Sequence, residues 1–224
     1  FKDHGPVYRS MSVWLEQYKP LLFDDLLTSS QVIDALKHLA LQANPPHLLL
    51  SGPAGCGKTA ALHLVCRQVL GPSWRATTHV LQARDLNKTA GAMAKFEAFL
   101  RPEGAGSEDT LAGRTSLDAF DHNISAAADA SPPPAGEESA APEAGTFAAV
   151  SRIIIIEDAD YLGHARQSYL RRMMEESSRS ARFLFTTHTP SRIIEALRSR
   201  TQHVRMPSLT RLQIEQRLEH IAHK

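Results

Sequence analysis

Short apolar runs alternate along this chain with stretches in which apolar residues recur every three or four positions. The runs predict strands and the stretches predict helices. Strands are expected over residues 47–50, 79–83, 153–156, 183–188 and 202–206. The third is four consecutive isoleucines, which suits a strand covered on both faces at the centre of a parallel sheet. Ahead of the first strand, Thr28-Ser29-Ser30-Gln31 offers an N-cap with Gln three residues on, and Val32, Leu36, Leu39 and Leu41 follow at near-helical spacing. Asn44-Pro45-Pro46 ends that helix. Further helices are expected from Thr59 to about Leu70, where Gly71-Pro72 stops the chain, and over 90–100 with Met93 and Phe96 on one side. Three more are expected over 167–175 with Leu170 and Met174 inward, over 190–197, and over about 210–222. The alternation predicts an α/β domain, a parallel sheet flanked by helices.

Residues 101–148 break the alternation. They are rich in Ala, Gly, Ser, Pro and Glu, with Pro132-Pro133-Pro134 in their midst. Such a stretch cannot bury enough apolar surface to offset the entropy of ordering. It reads as a disordered insertion between a helix and a strand, with a short piece around 117–124 able to dock, and it either has no role or recruits a partner. The 224 residues suffice for one large domain, or for one plus part of another. Met11 precedes Ser12-Val13-Trp14, where the domain is expected to start, so residues 1–11 read as an extension or a tag. Net charge is +1, which excludes a global field drawing the chain to nucleic acid or membrane. No apolar run approaches the length of a membrane span, and no secretory signal is visible. Cys56 and Cys66 give no disulfide framework and suit a reducing compartment.

Candidate chemistry centres on Ser51-Gly52-Pro53-Ala54-Gly55-Cys56-Gly57-Lys58-Thr59. This fits G-x-x-x-x-G-K-[ST], and it stands between a predicted strand and a predicted helix, the context that this phosphate-binding motif needs. Glycines let backbone N–H groups turn inward around an anion, and the helix N-terminus adds partial positive charge. Lys58 can reach β- and γ-phosphates, and the Thr59 hydroxyl can ligate Mg²⁺. A second centre, Glu157-Asp158-Ala159-Asp160, ends the isoleucine strand. Ligands of open α/β sheets bind at such strand ends. One carboxylate there can hold Mg²⁺ through water, and a second can polarise an attacking water. Upstream, Pro20 biases Lys19 away from helix, so Trp14 to Pro20 reads as an extended arm. Its aromatics Trp14 and Tyr18 pack either near a purine base or in the core. Arg166, Arg171, Arg172, Arg179 and Arg182 cluster in sequence. They either contact phosphates or form a solvated face bridged to Glu175 and Glu176.

The ordered series Trp14-Leu15-Glu16-Gln17-Tyr18-Lys19-Pro20, the glycine loop, Ile₄-Glu157-Asp158-Ala159-Asp160, Leu170-Arg171-Arg172-Met173-Met174-Glu175 and Arg192 through Arg200 resembles clamp-loader subunits. It is most similar in pattern to the small subunits of eukaryotic replication factor C, which are AAA+ ATPases. The similarity spans about residues 12–224 apart from the insertion. It implies an AAA+ nucleotide-binding domain over 12–206 and the start of a helical lid over 207–224, with the rest of the lid and a C-terminal collar beyond Lys224. Tyr18 and Pro20 match the arm beside adenine. Gly52, Pro53, Ala54, Gly55, Cys56, Gly57, Lys58 and Thr59 match Walker A, with Ala60 following in the nucleotide site. Thr59 and Glu157 are implied for Mg²⁺, Asp158 as general base and His188 as sensor 1. The arginine of Ser199-Arg200 is implied to serve ATP bound on a neighbouring subunit. The resemblance implies ATP and Mg²⁺ as cofactors. It implies other loader subunits, a sliding clamp and primer–template DNA as partners, no membrane, and a place in the nucleus. Two departures stand out. The family usually reads Asp-Glu where this chain reads Glu157-Asp158, and it usually has Asn where this chain has His188. The expectation is therefore an ATP-binding subunit whose own hydrolysis is slow. The alternatives are an adaptor of the same fold, or a subunit of an alternative loader.

Overall fold

A computed structural model describes residues 17–86, 88, 90–100, 150–177 and 180–223. The expected extension over 1–11, the insertion over 101–148, Trp14 and Arg179 lie outside the described residues.

The five expected strands form as β1 (Leu48–Ser51), β2 (Thr78–Gln82), β3 (Arg152–Glu157), β4 (Ala181–Thr187) and β5 (Gln202–Arg205). They make one sheet in the order β2-β3-β4-β1-β5, with every pairing parallel. The helices are α1 (Ser30–Ala40), α2 (Lys58–Leu70), α3 (Trp74–Thr77), α4 (Ala83–Leu86), α5 (Ala92–Leu100), α6 (His164–Glu176), α7 (Glu195–Arg198) and α8 (Arg211–Ala222).

The unbroken apolar runs are explained by two packed faces. Side chains alternate across a strand, so a strand buried on both sides needs apolar residues at every position. Leu48, Leu50, Ile153 and Ile155 join Leu36, Leu62, Val65 and Trp74 in one core. Leu49, Ile154, Ile156 and Phe183 join Phe96, Leu170, Met174 and Leu197 in the other. Each isoleucine of the quartet is fully buried. The register sets Leu49 beside Phe185 and Ile155 beside Leu184, so the strand ends line up along one edge of the sheet. That edge carries the polar residues Gln82, Glu157 and Thr187.

Several local expectations need correction. Ser29, not Thr28, precedes α1 as its cap residue, and Leu41 falls at the helix end, 69% exposed. The helix expected over 190–197 is a 3-10 turn (Pro190–Arg192) followed by the one-turn α7. Gln167 explains the break. Its Oε1 accepts the Ile194 N–H at 2.8 Å and its Nε2 donates to Arg192 O at 3.0 Å, so both backbone groups are committed outside any helix. The short α3 and α4 were not anticipated from the apolar spacing. Arg182 is 5% exposed inside β4 and donates to Pro45 O and Asn44 Oδ1, so it is no part of a basic surface. Arg171 and Arg172 pair one turn along with Glu175 and Glu176, which is the solvated, salt-bridged face.

Candidate functional site

Two backbone constraints shape the glycine loop after β1. A Cβ on Gly52 would lie 2.4 Å from Met206 O, so only glycine lets the loop base rest against the chain leaving β5. Gly57 takes φ 92° as the residue capping α2, a conformation that L side chains rarely adopt. The loop then delivers Lys58 and Thr59 as the first residues of α2. Lys58 is buried, and its Nζ donates to Gly52 O at 2.8 Å and Pro53 O at 2.7 Å. Cys56 is buried within the same loop.

A cavity of about 360 Å³ opens over this loop. Gly55 and Gly57 line it from the loop, and Lys58, Thr59 and Ala60 from the helix start. Gln82, Glu157, Asp158, Thr186 and His188 close it from the ends of β2, β3 and β4. The volume lies within the range of small-molecule sites, roughly 300–1,000 Å³. Gly52, Pro53, Ala54 and Cys56 build the loop without lining the cavity. Tyr18 and Pro20 do not line it either, although Tyr18 O accepts a hydrogen bond from Arg217 Nη2 of α8 at 3.3 Å. Arg200 sits apart, just beyond α7.

The two acids of the β3 end have separate settings. Glu157 is the last residue of β3 and is buried. Its Oε1 accepts from Thr59 Oγ1 at 2.7 Å, and its Oε2 accepts from Gln82 Nε2. The hydroxyl of the glycine-loop helix and the strand-end carboxylate thus meet directly. They are hard oxygen donors next to a phosphate-sized cradle, a set suited to Mg²⁺, which binds through one or two carboxylates plus substrate phosphates. Asp158 leaves the strand in the left-handed region, φ 53°. Its Oδ2 meets Arg84 Nε at 2.6 Å, its Oδ1 meets His188 Nε2 at 3.1 Å, and its N–H donates to Thr186 Oγ1 at 3.0 Å. Arg84 also lies over the Tyr161 ring, 4.2 Å from its centroid. Asp160 is buried and accepts from Thr187 Oγ1 at 3.1 Å and the His188 N–H at 3.3 Å, which fixes the end of β4 beside the site.

Lys58, Thr59, Ala60, Glu157, Asp158 and His188 therefore line one cavity, and Arg200, expected to act on a neighbouring subunit, stands outside it. Gln82, Arg84 and Thr186 were missed. Gln82 and Thr186 were legible as polar residues at the carboxyl ends of predicted parallel strands, where ligands of such sheets bind. Arg84 reaches Asp158 from α4, for which the apolar spacing gave no signal.

The family model described as "ATPase family associated with various cellular activities (AAA)" matches residues 48–209. The replication factor C small subunit of Natronomonas pharaonis is 28% identical over 210 residues, covering 94% of this chain and 52% of the relative. That of Methanosarcina barkeri is 30% identical over 211 residues, covering 94% and 51%. Replication factor C subunit 4 of Schizosaccharomyces pombe is 29% identical over 208 residues, covering 93% and 49%. The chain thus spans about half the length of these curated relatives. A single-residue variant of Thermotoga maritima RuvB superimposes with a TM-score of 0.53 at 16% identity, over 85% of this chain and 48% of that one, a likeness of fold. The chain belongs to the AAA ATPase family.

Proposed function

We propose that this AAA family member binds ATP with Mg²⁺ in the cavity over the glycine loop and acts as one subunit of a clamp loader. In that role it works with other loader subunits on a sliding clamp and primer–template DNA, in the nucleus. The observation that carries the reading is the meeting of Thr59 with Glu157 at the mouth of the loop, 2.7 Å apart. It supports reading Thr59 and Glu157 as the metal-side oxygen pair, beside a buried lysine. When bound, Mg²⁺ would draw charge from the phosphates of ATP. Lys58 would exchange its two carbonyl partners for phosphate oxygens, and the loop N–H groups would cradle the anion. The similarity to replication factor C small subunits supports the assembly and the partners.

Within this reading, hydrolysis at the chain's own site is slow. A general base must hold an acceptor oxygen toward water. Both oxygens of Asp158 already face cationic or donor partners, Arg84 and His188. Arg200 serves instead as a finger for nucleotide on a neighbouring subunit, and its position outside the chain's own cavity supports that role. The test is ATP turnover by the full-length subunit assembled with its partners, compared with Lys58→Ala and Arg200→Ala, with nucleotide binding followed in parallel. Lys58→Ala is expected to abolish binding at this site while changing total turnover little, and Arg200→Ala to slow the complex. Loss of a full site's share of turnover on Lys58→Ala would overturn the slow-site reading. No effect of Arg200→Ala would overturn the finger.

A further inference from the structure

Arg200 is not free in the folded chain. Its Nη2 meets Glu175 Oε1 at 2.6 Å, and its Nη1 donates to Ala196 O at 2.8 Å. Ser199 Oγ lies 3.5 Å from the same Nη1. Glu175 stands in the last turn of α6, and Oε1 also accepts from Arg171 Nε at 3.3 Å. One carboxylate oxygen therefore gathers two guanidinium groups. Among the described residues, Nε of Arg200 makes no such contact, and the side chain remains 35% exposed. The arginine is held by part of its donor fork, and the rest is open for an anion.

We propose that Glu175 is a positioning residue for Arg200, fixing the guanidinium so that its open donors meet a phosphate of a neighbouring subunit's nucleotide. The inference rests on the reading of Arg200 as a finger in trans. Exposed ion pairs contribute little to stability, so the consequence of this one is geometric. A long arginine side chain samples many rotamers, and tethering two of its nitrogens removes that freedom before the phosphate arrives. The tether persists at neutral pH, where a glutamate is ionised, and Arg171 foremost, with Arg200 after it, holds the Glu175 carboxyl below the usual carboxylate range against the opposing effect of desolvation. The platform is stiff, since α6 buries Leu170, Met173 and Met174 against the sheet.

The test uses complexes purified through the full-length subunit, with kcat and KM for ATP measured for Glu175→Gln, Glu175→Ala, Arg200→Ala and the Glu175→Ala, Arg200→Ala double variant. Each Glu175 variant is expected to lower kcat by about tenfold at unchanged KM, from the side-chain freedom that returns. Assembly and melting temperature should stay as in the wild type. The double variant should be no slower than Arg200→Ala alone, because both changes act through one group. If Arg200→Ala slows the complex while both Glu175 variants run at the wild-type rate, the positioning role falls and the finger stands. A double variant slower than Arg200→Ala shows that Glu175 acts elsewhere, and faster turnover on Glu175→Gln shows that it restrains the arginine. Either result overturns the proposal. Wild-type turnover by Arg200→Ala removes the finger and the positioning role together.

Discussion

Lys58 is expected to have two jobs that a single substitution separates. In the folded chain its Nζ bridges Gly52 O and Pro53 O at 2.8 and 2.7 Å, and the residue is 7% exposed. A hydrogen bond to a charged group contributes about 1.5–3 kcal/mol, and water can replace part of it where the loop opens to the cavity. Lys58→Ala should therefore destabilise the nucleotide-free chain by about 2–3 kcal/mol, less than two full bonds. For a domain of this size that lowers the melting temperature by roughly 5–10 °C. The second job is phosphate binding. Adding ATP·Mg²⁺ at about a hundred times its dissociation constant should stabilise the wild type by about 2.7 kcal/mol and leave Lys58→Ala unmoved. Thermal unfolding with and without nucleotide reads both effects in one titration. A variant that melts with the wild type without nucleotide would show that the lysine does not brace the loop. A variant that keeps the full nucleotide-dependent shift would show that the cavity is not the phosphate site.

Two further expectations follow from the same geometry. Arg84→Ala and His188→Asn each free one oxygen of Asp158, so single-turnover ATP hydrolysis should rise about fivefold with nucleotide affinity unchanged, the equivalent of a partly exposed ion pair of about 1 kcal/mol; no gain from either would remove Asp158 from the list of bases. Burial first, and the Arg182 charge second, lower His47 to about 4. The unfolded chain, with histidine near 6.5, therefore takes up the proton first, so stability present above about pH 6.5 is lost as pH falls toward 4, by about 2–3 kcal/mol. His47→Asn keeps an acceptor for the Phe183 N–H that Nδ1 now takes at 3.0 Å. It should flatten that part of the pH–stability curve, and an unchanged slope in denaturant unfolding would rule His47 out as its source.

Much of the fold was legible because burial on two faces leaves a local signature. Four isoleucines in a row, or three leucines before a glycine loop, mark strands with no polar face to spare. The loop was legible because its glycines answer to backbone geometry, as the contact of Gly52 with Met206 O shows. Illegible features depend on partners far along the chain. Arg182 looked like one of a surface cluster, yet it is buried because Asn44 and Pro45, 138 and 137 residues away, supply its acceptors. The helix expected after Pro190 fails because Gln167 takes the Ile194 N–H. Arg84 and Glu175 gain their settings from an aspartate and an arginine that only the packing of α4 and α6 brings near.

The order of the two acids ending β3 has a structural meaning beyond composition. The pleat of the strand sets the direction of Glu157, and the left-handed turn sets that of Asp158. At the first position, the longer side chain reaches Thr59 and Gln82. At the second, the shorter side chain is drawn to Arg84 and His188. A left-handed φ at a residue other than glycine costs roughly 1–2 kcal/mol, less for aspartate, and the contacts to Arg84, His188 and Thr186 offset it. In the proposed reading, exchanging the usual order thus lengthens the arm meant for the metal and shortens the one meant for water. A displacement of about 1 Å in a catalytic group can cost about a hundredfold in rate. Under the proposed reading, that displacement is what slows hydrolysis at the chain's own site.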